Sequence, residues 1–165
     1  TEMHKLQEQY LFLARHNIHS AEELVGTIAS LTDKKKETSA EKSRIYKARE
    51  RSRELFTAAD EMENLKPAEQ SYRLGDTFFE DEHRKWVALE QELQAQGYSL
   101  EEVQALRRHY KEEYSEVCAK EKVVFRELNT GKAILNSMIP DSISDGRKTE
   151  YNREIIRDRK EQPVR

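Results

Sequence analysis

Val103, Tyr110, Val117, Val124, Gly131 and Met138 recur at strict intervals of seven, flanked by Leu106, Tyr114, Leu128 and Leu135. Such a repeat keeps one seam on the same side of an α-helix turn after turn, and a seam this long needs another long helix to cover it. Ser99-Leu-Glu-Glu102 opens the helix with a capping-box pattern, and Pro140 ends it. The only stretch of comparable length is residues 21–66. Ser20-Ala-Glu-Glu23 opens it in the same way, with Leu24, Ile28 and Leu31, then Ile45, Ala48, Leu55, Phe56, Ala59, Met62 and Leu65 on its apolar face. One continuous helix is the simplest reading, with a break near Thr38-Ser39 as the alternative.

Shorter helices complete the pattern. Residues 2–16 carry Leu6, Tyr10, Leu13 and Ala14 at helical spacing, widened by Leu11 and Phe12. Pro67 suits the first position of a short third helix, because its missing amide would be unpaired there in any case. Gly75-Asp76 punctuates that helix. A fourth, with Phe78, Phe79, Trp86, Leu89 and Leu93 on its stripe, runs to a left-handed cap at Gly97. The expected fold is all-α: an elongated helical bundle with long antiparallel coiled-coil-like helices over residues 1–139, then a charged tail over 140–165. In the tail Tyr151, Ile155 and Ile156 offer only a marginal helix, and the charge density suggests mobility.

Composition agrees. Charged residues are 37% of the chain and hydrophobic ones 36%, with only five glycines and three prolines, which is the balance of long helices around a thin core. The single cysteine, Cys118, excludes an intrachain disulfide and a Cys-x-x-Cys site, and fits a reducing, cytoplasmic setting. No apolar run approaches the roughly 20 residues that span a bilayer, so no membrane partner is expected. The chain starts without Met, as a piece of a longer protein or a processed terminus would.

Catalytic and metal-binding patterns are incomplete. Glu80-Asp-Glu-His83 has the Glu-x-x-His spacing of a di-metal carboxylate site, but such a site needs two of these pairs, and no other histidine follows a glutamate by three. His16-x-x-His19 spans a helix junction. No Gly-x-x-x-x-Gly-Lys loop is present. The expectation is therefore no catalytic residue, no metal ligand set and no cofactor.

Electrostatics give the strongest signal. Residues 34–53, KKKETSAEKSRIYKARERSR, hold nine basic residues against three acidic ones inside a chain of net charge −3. Ile28, Lys35, Lys42, Arg49 and Phe56 are spaced by seven, so cations occupy the middle of an otherwise apolar line. Either this section is unpaired and open to an anion, or the long stems lie over a partner helix with their heads in water. The first reading makes Lys35, Lys42, Arg49 and Arg53 candidate contacts to DNA phosphates.

The order HNIHSAEELVGTIASL, KSRIYKARE, YRLGDTFFEDEHRKWVALEQELQAQGYSLEEVQALRRHY and KEKVVFRELNTGKAIL, over about residues 12–139, resembles the helical C-terminal region of relaxase/mobilization nucleases from conjugative and mobilizable elements of Gram-positive bacteria. The resemblance implies a noncatalytic region that accompanies an N-terminal DNA-nicking domain. Its partners would be DNA, through the phosphate backbone, and accessory or coupling proteins of the transfer machinery. A transfer signal would lie in the tail, with Arg147, Lys148, Arg153, Arg157, Arg159, Lys160 and Arg165. The chain departs from the whole-family pattern in showing no strand-borne His-apolar-His triplet and no N-terminal tyrosine in the expected setting, so no catalytic residue carries over. The residues alone leave a second reading open: a structural coiled-coil module that binds only protein, oligomerisation included, through the seam of residues 103–138 or the tail.

Overall fold

A computed structural model describes residues 1–139 and 153–157. The chain is all-α, with α1 at Glu2–Arg15, α2 at Ala21–Arg51, α3 at Arg53–Arg73, a single 3-10 turn at Thr77–Phe79, α4 at Glu80–Ala95 and α5 at Leu100–Ser137. No strand occurs among the described residues.

The caps that start the two long helices form as their sequences require. The Glu23 amide donates to Ser20 Oγ and the Glu102 amide to Ser99 Oγ, each at 3.2 Å. The return bond at α2 differs from expectation: the Glu23 carboxylate accepts from the His19 amide, at 2.6 Å, one residue before the cap. Three helix ends share one backbone solution. Asn17, Gly75 and Gly97 adopt φ of 52°, 101° and 85°, and each is followed by an amide that reaches back five residues to a carbonyl of the last turn. These are Schellman motifs, and Gly97 is the left-handed cap that its sequence calls for.

Residues 21–66 do not form one helix. The ladder slips at Ser52, whose amide is shared between the carbonyls of Ala48 and Arg49 and whose hydroxyl donates to Ala48 O at 3.2 Å. That hydroxyl competes for the backbone, which loosens the helix by one residue before α3 resumes. The alternative break is absent: Thr38 lies inside α2, buried, with its hydroxyl on Lys34 O at 2.7 Å. Pro67 does not start a third helix either but sits inside α3. The carbonyl that loses its amide belongs to Glu63, an exposed residue where water can replace the bond.

The chain divides into two compact units, Thr1–Glu41 with Val117–Arg165, and Lys42–Glu116. In the first, Phe12 of α1, Leu24, Val25, Ile28 and Leu31 of α2, and Leu128, Ile134 and Leu135 of α5 form the core. Of the α1 stripe, Phe12 alone is fully buried, whereas Met3, Leu6 and Tyr10 are exposed. Gly131 explains the close approach, since a Cβ there would lie 3.1 Å from both Phe12 Cζ and Ile28 Cγ1. Arg15 and His16 both bind Glu127 beside this contact, with His16 Nε2 at 2.7 Å. Residues 153–157 are helical, and Ile155 and Ile156 pack half-buried on the same core.

The second unit closes around Leu55, Ala58, Ala59 and Met62 of α3, Trp86 and Leu93 of α4, and Val103 of α5. Arg107 of α5 reaches Asp60 Oδ1 at 2.6 Å and the Phe56 carbonyl at 2.9 Å, and Gln104 reaches Glu63. Rising numbers on α3 thus meet falling numbers on α5, and the two run antiparallel. Along the expected seam, Val103 and Val117 are buried, Tyr110 and Val124 are half-buried, and Tyr110 meets Phe56 edge to face at 6.4 Å. Met138 does not belong to the seam: it lies past the end of α5 and is 54% exposed.

Replacing Gly131 by Val should destabilise the first unit by about 1–3 kcal/mol, because Phe12 and Ile28 would have to leave their seats. Gly131→Ala should fall closer to the parent, since a gain of about 1 kcal/mol in helix propensity opposes the crowding. Urea unfolding followed by circular dichroism checks both, and a Val variant with the parent's midpoint would show that the contact carries no stability.

Candidate nucleic-acid interface

Three of the four cations expected to meet phosphate lie over rings of α5. In the first unit, Lys35 Nζ lies 5.2 Å from the centre of the Phe125 ring. In the second, Lys42 Nζ and Arg49 Cζ both lie over the Tyr114 ring, at 5.9 and 5.7 Å. The cationic middle of the line therefore lies against rings of α5, with stems as packing and heads as cation–π partners, each worth about 0.5–1 kcal/mol at such partly exposed sites. Of the candidate quartet, Arg53, at the start of α3, alone is exposed with no ring or ion-pair partner.

A different row is open. Arg44, Lys47 and Arg51 fall at i, i+3 and i+7 on α2, which stacks them on one helix face turned away from the line of Lys42 and Arg49. All three are exposed, and none has a carboxylate within ion-pair reach among the described residues. The row was legible in KSRIYKARER as a spacing, but the spacing of seven through Lys35 drew attention to the other side of the helix. Only the rings of α5 distinguish the two faces. The tail cations Arg153 and Arg157 are exposed, whereas Arg147, Lys148, Arg159, Lys160 and Arg165 lie outside the described residues.

The Glu-x-x-His pair is split between two sets of partners. Glu80 accepts from Arg84 at 3.1 Å, while His83 stacks on Tyr72, ring centres 4.1 Å apart, and its Nδ1 meets Glu69 Oε2 at 2.7 Å. His16 is held by Glu127, and His19 Nε2 by Asn17 at 2.8 Å. Among the described residues no three His, Cys, Asp or Glu side chains are placed to hold a metal ion, and no helix is long and apolar enough to cross a membrane.

Glu69 is the residue that sequence reasoning missed. It is 3% exposed, yet charged, and its other oxygen takes Arg73 Nε at 2.9 Å. Burial pushes its carboxyl upward, but the hydrogen bonds from His83 and Arg73, with their charges, outweigh this and hold it below the usual glutamate range. An ionised carboxylate only accepts, so His83 Nδ1 carries the proton and donates. Leu55, Met62 and Glu69 are spaced by seven, a signal hidden by ending the helix at Pro67. A cleft of about 390 Å³ opens beside Glu69, lined also by Met62, Arg73, Trp86, Glu90 and Leu100. Both Glu69 oxygens already accept bonds, and the Trp86 indole donates to Glu90 at 3.1 Å, so these groups are committed to one another.

Glu69→Ala should cost about 1–3 kcal/mol at neutral pH, the range for hydrogen bonds to charged groups whose donors can still reach water. The lowered carboxyl fixes the sign with pH: its contribution is complete above the unfolded glutamate pKa of about 4.3 and is lost as pH falls through the lower folded value. Urea midpoints of parent and variant should therefore converge as pH drops below about 4. A gap that persists into strong acid would assign the loss to packing.

Comparison with protein-family models, with curated proteins and with solved structures gives no match for this chain, so its chemistry is read from these side chains alone.

Proposed function

We propose that this chain is a noncatalytic helical module that holds nucleic acid by its phosphate backbone through the outer face of α2, in the manner of a helical region accompanying a DNA-nicking domain. The observation that supports this reading is the exposed, unpaired row Arg44, Lys47 and Arg51. Like charges at i,i+3 and i,i+4 cost a helix about 0.2–0.5 kcal/mol per pair, a cost that a bound phosphate backbone reverses. Phosphate contacts position a protein without reading bases, so the module would supply affinity and leave sequence choice to its neighbours. Relaxase-type transfer complexes, with their accessory and coupling proteins, are the cytoplasmic setting in which such a module works. A net charge of −3 keeps the affinity modest.

A module that binds only protein is the second reading. It is favoured by Met3, Leu6 and Tyr10, exposed by 80, 66 and 71% at i, i+3 and i+7 on α1.

Two triple variants separate the faces of α2. Changing Arg44, Lys47 and Arg51 to Gln should weaken binding to random and transfer-origin duplexes by a similar factor, and lower the slope of log affinity against log salt by up to about 2.7, at 0.9 per contact. Changing Lys35, Lys42 and Arg49 to Gln should mainly lower stability, through the lost ring contacts. Fluorescence anisotropy at low salt reads the binding. A parent that fails to bind DNA at about ten times the micromolar range typical of nonspecific contact would leave the protein-binding reading in its place.

A further inference from the structure

The turn that joins α3 to the 3-10 segment exposes two large apolar side chains, Leu74 by 91% and Phe78 by 82%, with the half-buried Phe79 ring edge-on to Phe78 at 5.1 Å. The backbone beneath them is firmly built. Gly75 and Asp76 donate to the carbonyls of Tyr72 and Ser71, at 2.9 and 3.1 Å, and Asp76 Oδ1 accepts from the Phe78 amide at 3.1 Å. In the other two Schellman motifs the corresponding residues after the cap, Ile18 and Tyr98, are apolar and pack onto a core. Here the position holds Asp76. The turn thus gives up the usual inward contact and presents its apolar residues to solvent.

The acids nearest the apolar pair outnumber the free cations. Residues 74–82, LGDTFFEDE, contain Asp76, Glu80, Asp81 and Glu82, the first three exposed; of the flanking cations Arg73 is bound to Glu69 and Arg84 to Glu80, which leaves Asp76 and Asp81 without an ion-pair partner among the described residues. These two acids repel phosphate and so disfavour nucleic acid and anionic lipid at the apolar pair. The cationic face of α2 in a second copy does not fit, because Ala40 and Ser43, which share it with Arg44, Lys47 and Arg51, are too small to cover Leu74 and Phe78.

We infer that this tip is a docking surface for a basic amphipathic helix of a partner protein, whose apolar face covers Leu74, Phe78 and Phe79 while its Lys or Arg side chains meet Asp76, Glu80 and Asp81. This surface is separate from the cationic face of α2, and its test does not depend on nucleic-acid binding.

A fluorescein-labelled Leu/Lys amphipathic peptide of about 18 residues, long enough to be helical, serves as the probe, with a Leu/Glu peptide of the same pattern as control. Titrated with the full chain, the Leu/Lys peptide should bind and the control should not. Leu74→Ser with Phe78→Ser should weaken binding at least about tenfold, and Glu80→Gln with Asp81→Asn should weaken it and flatten its salt dependence. All four residues are exposed, and unchanged circular dichroism and urea midpoints establish that the variants fold. Binding by the control peptide, equal binding by parent and the apolar double variant, or no binding by the parent overturns the inference. So does a parent dimer in sedimentation equilibrium that the apolar double variant abolishes, which would assign the tip to a second copy.

Discussion

Scarcity of apolar side chains governs how this chain covers its helices. With charged residues as numerous as hydrophobic ones, a long helix cannot present an unbroken apolar face, and the gap in α2 is filled by the alkyl stems of Lys35, Lys42 and Arg49. Aromatic residues on α5 make this workable, because a ring accepts both a hydrocarbon stem and a cation above its face. Phe125 and Tyr114 thereby convert residues that look like a binding surface into part of the packing. Arg44, Lys47 and Arg51, on the opposite side of α2, stay exposed without an ion-pair partner among the described residues.

A carboxylate clamps an arginine and a histidine in each unit, half-buried in the first and buried in the second. Glu127 holds Arg15 and His16 in the first, and Glu69 holds Arg73 and His83 in the second. A lone buried carboxylate would be expensive, but at Glu69 two donors, each partly in water, satisfy both oxygens and keep it ionised. His83 illustrates why spacing along one helix is a weak guide to metal chemistry. Its neighbour in sequence pattern, Glu80, turns to Arg84, while its partner in space comes from the preceding helix.

The starts of α2 and α5 and the all-α class were readable because they rest on local rules: Ser20 and Ser99 accept from amides of the turn they open, and Gly97 tolerates the backbone that ends α4. What was not readable depends on choices made in three dimensions. Periodicity does not reveal that the Ser52 hydroxyl takes a backbone carbonyl, or that the carbonyl above Pro67 has water available. The second of these concealed Glu69, because ending the helix at Pro67 cut the line through Leu55 and Met62 one heptad short. The surroundings of the cationic line were hidden for the same reason. Its spacing was correct, but whether its heads face solvent is decided by rings more than sixty residues away.

Trp86 is the only tryptophan in the chain, and it is buried among Leu55, Met62 and Leu93 with its indole nitrogen on Glu90. Tryptophan emission is therefore blind to the first unit. A red shift on denaturation reports the opening of residues 42–116 alone, whereas far-ultraviolet ellipticity sums every helix. If the two signals trace the same transition, the long helices α2 and α5, which belong to both units, transmit unfolding between them as one cooperative event. If emission changes at a different denaturant concentration, the points where α2 and α5 pass from one unit to the other, Glu41–Lys42 and Glu116–Val117, separate parts that melt on their own.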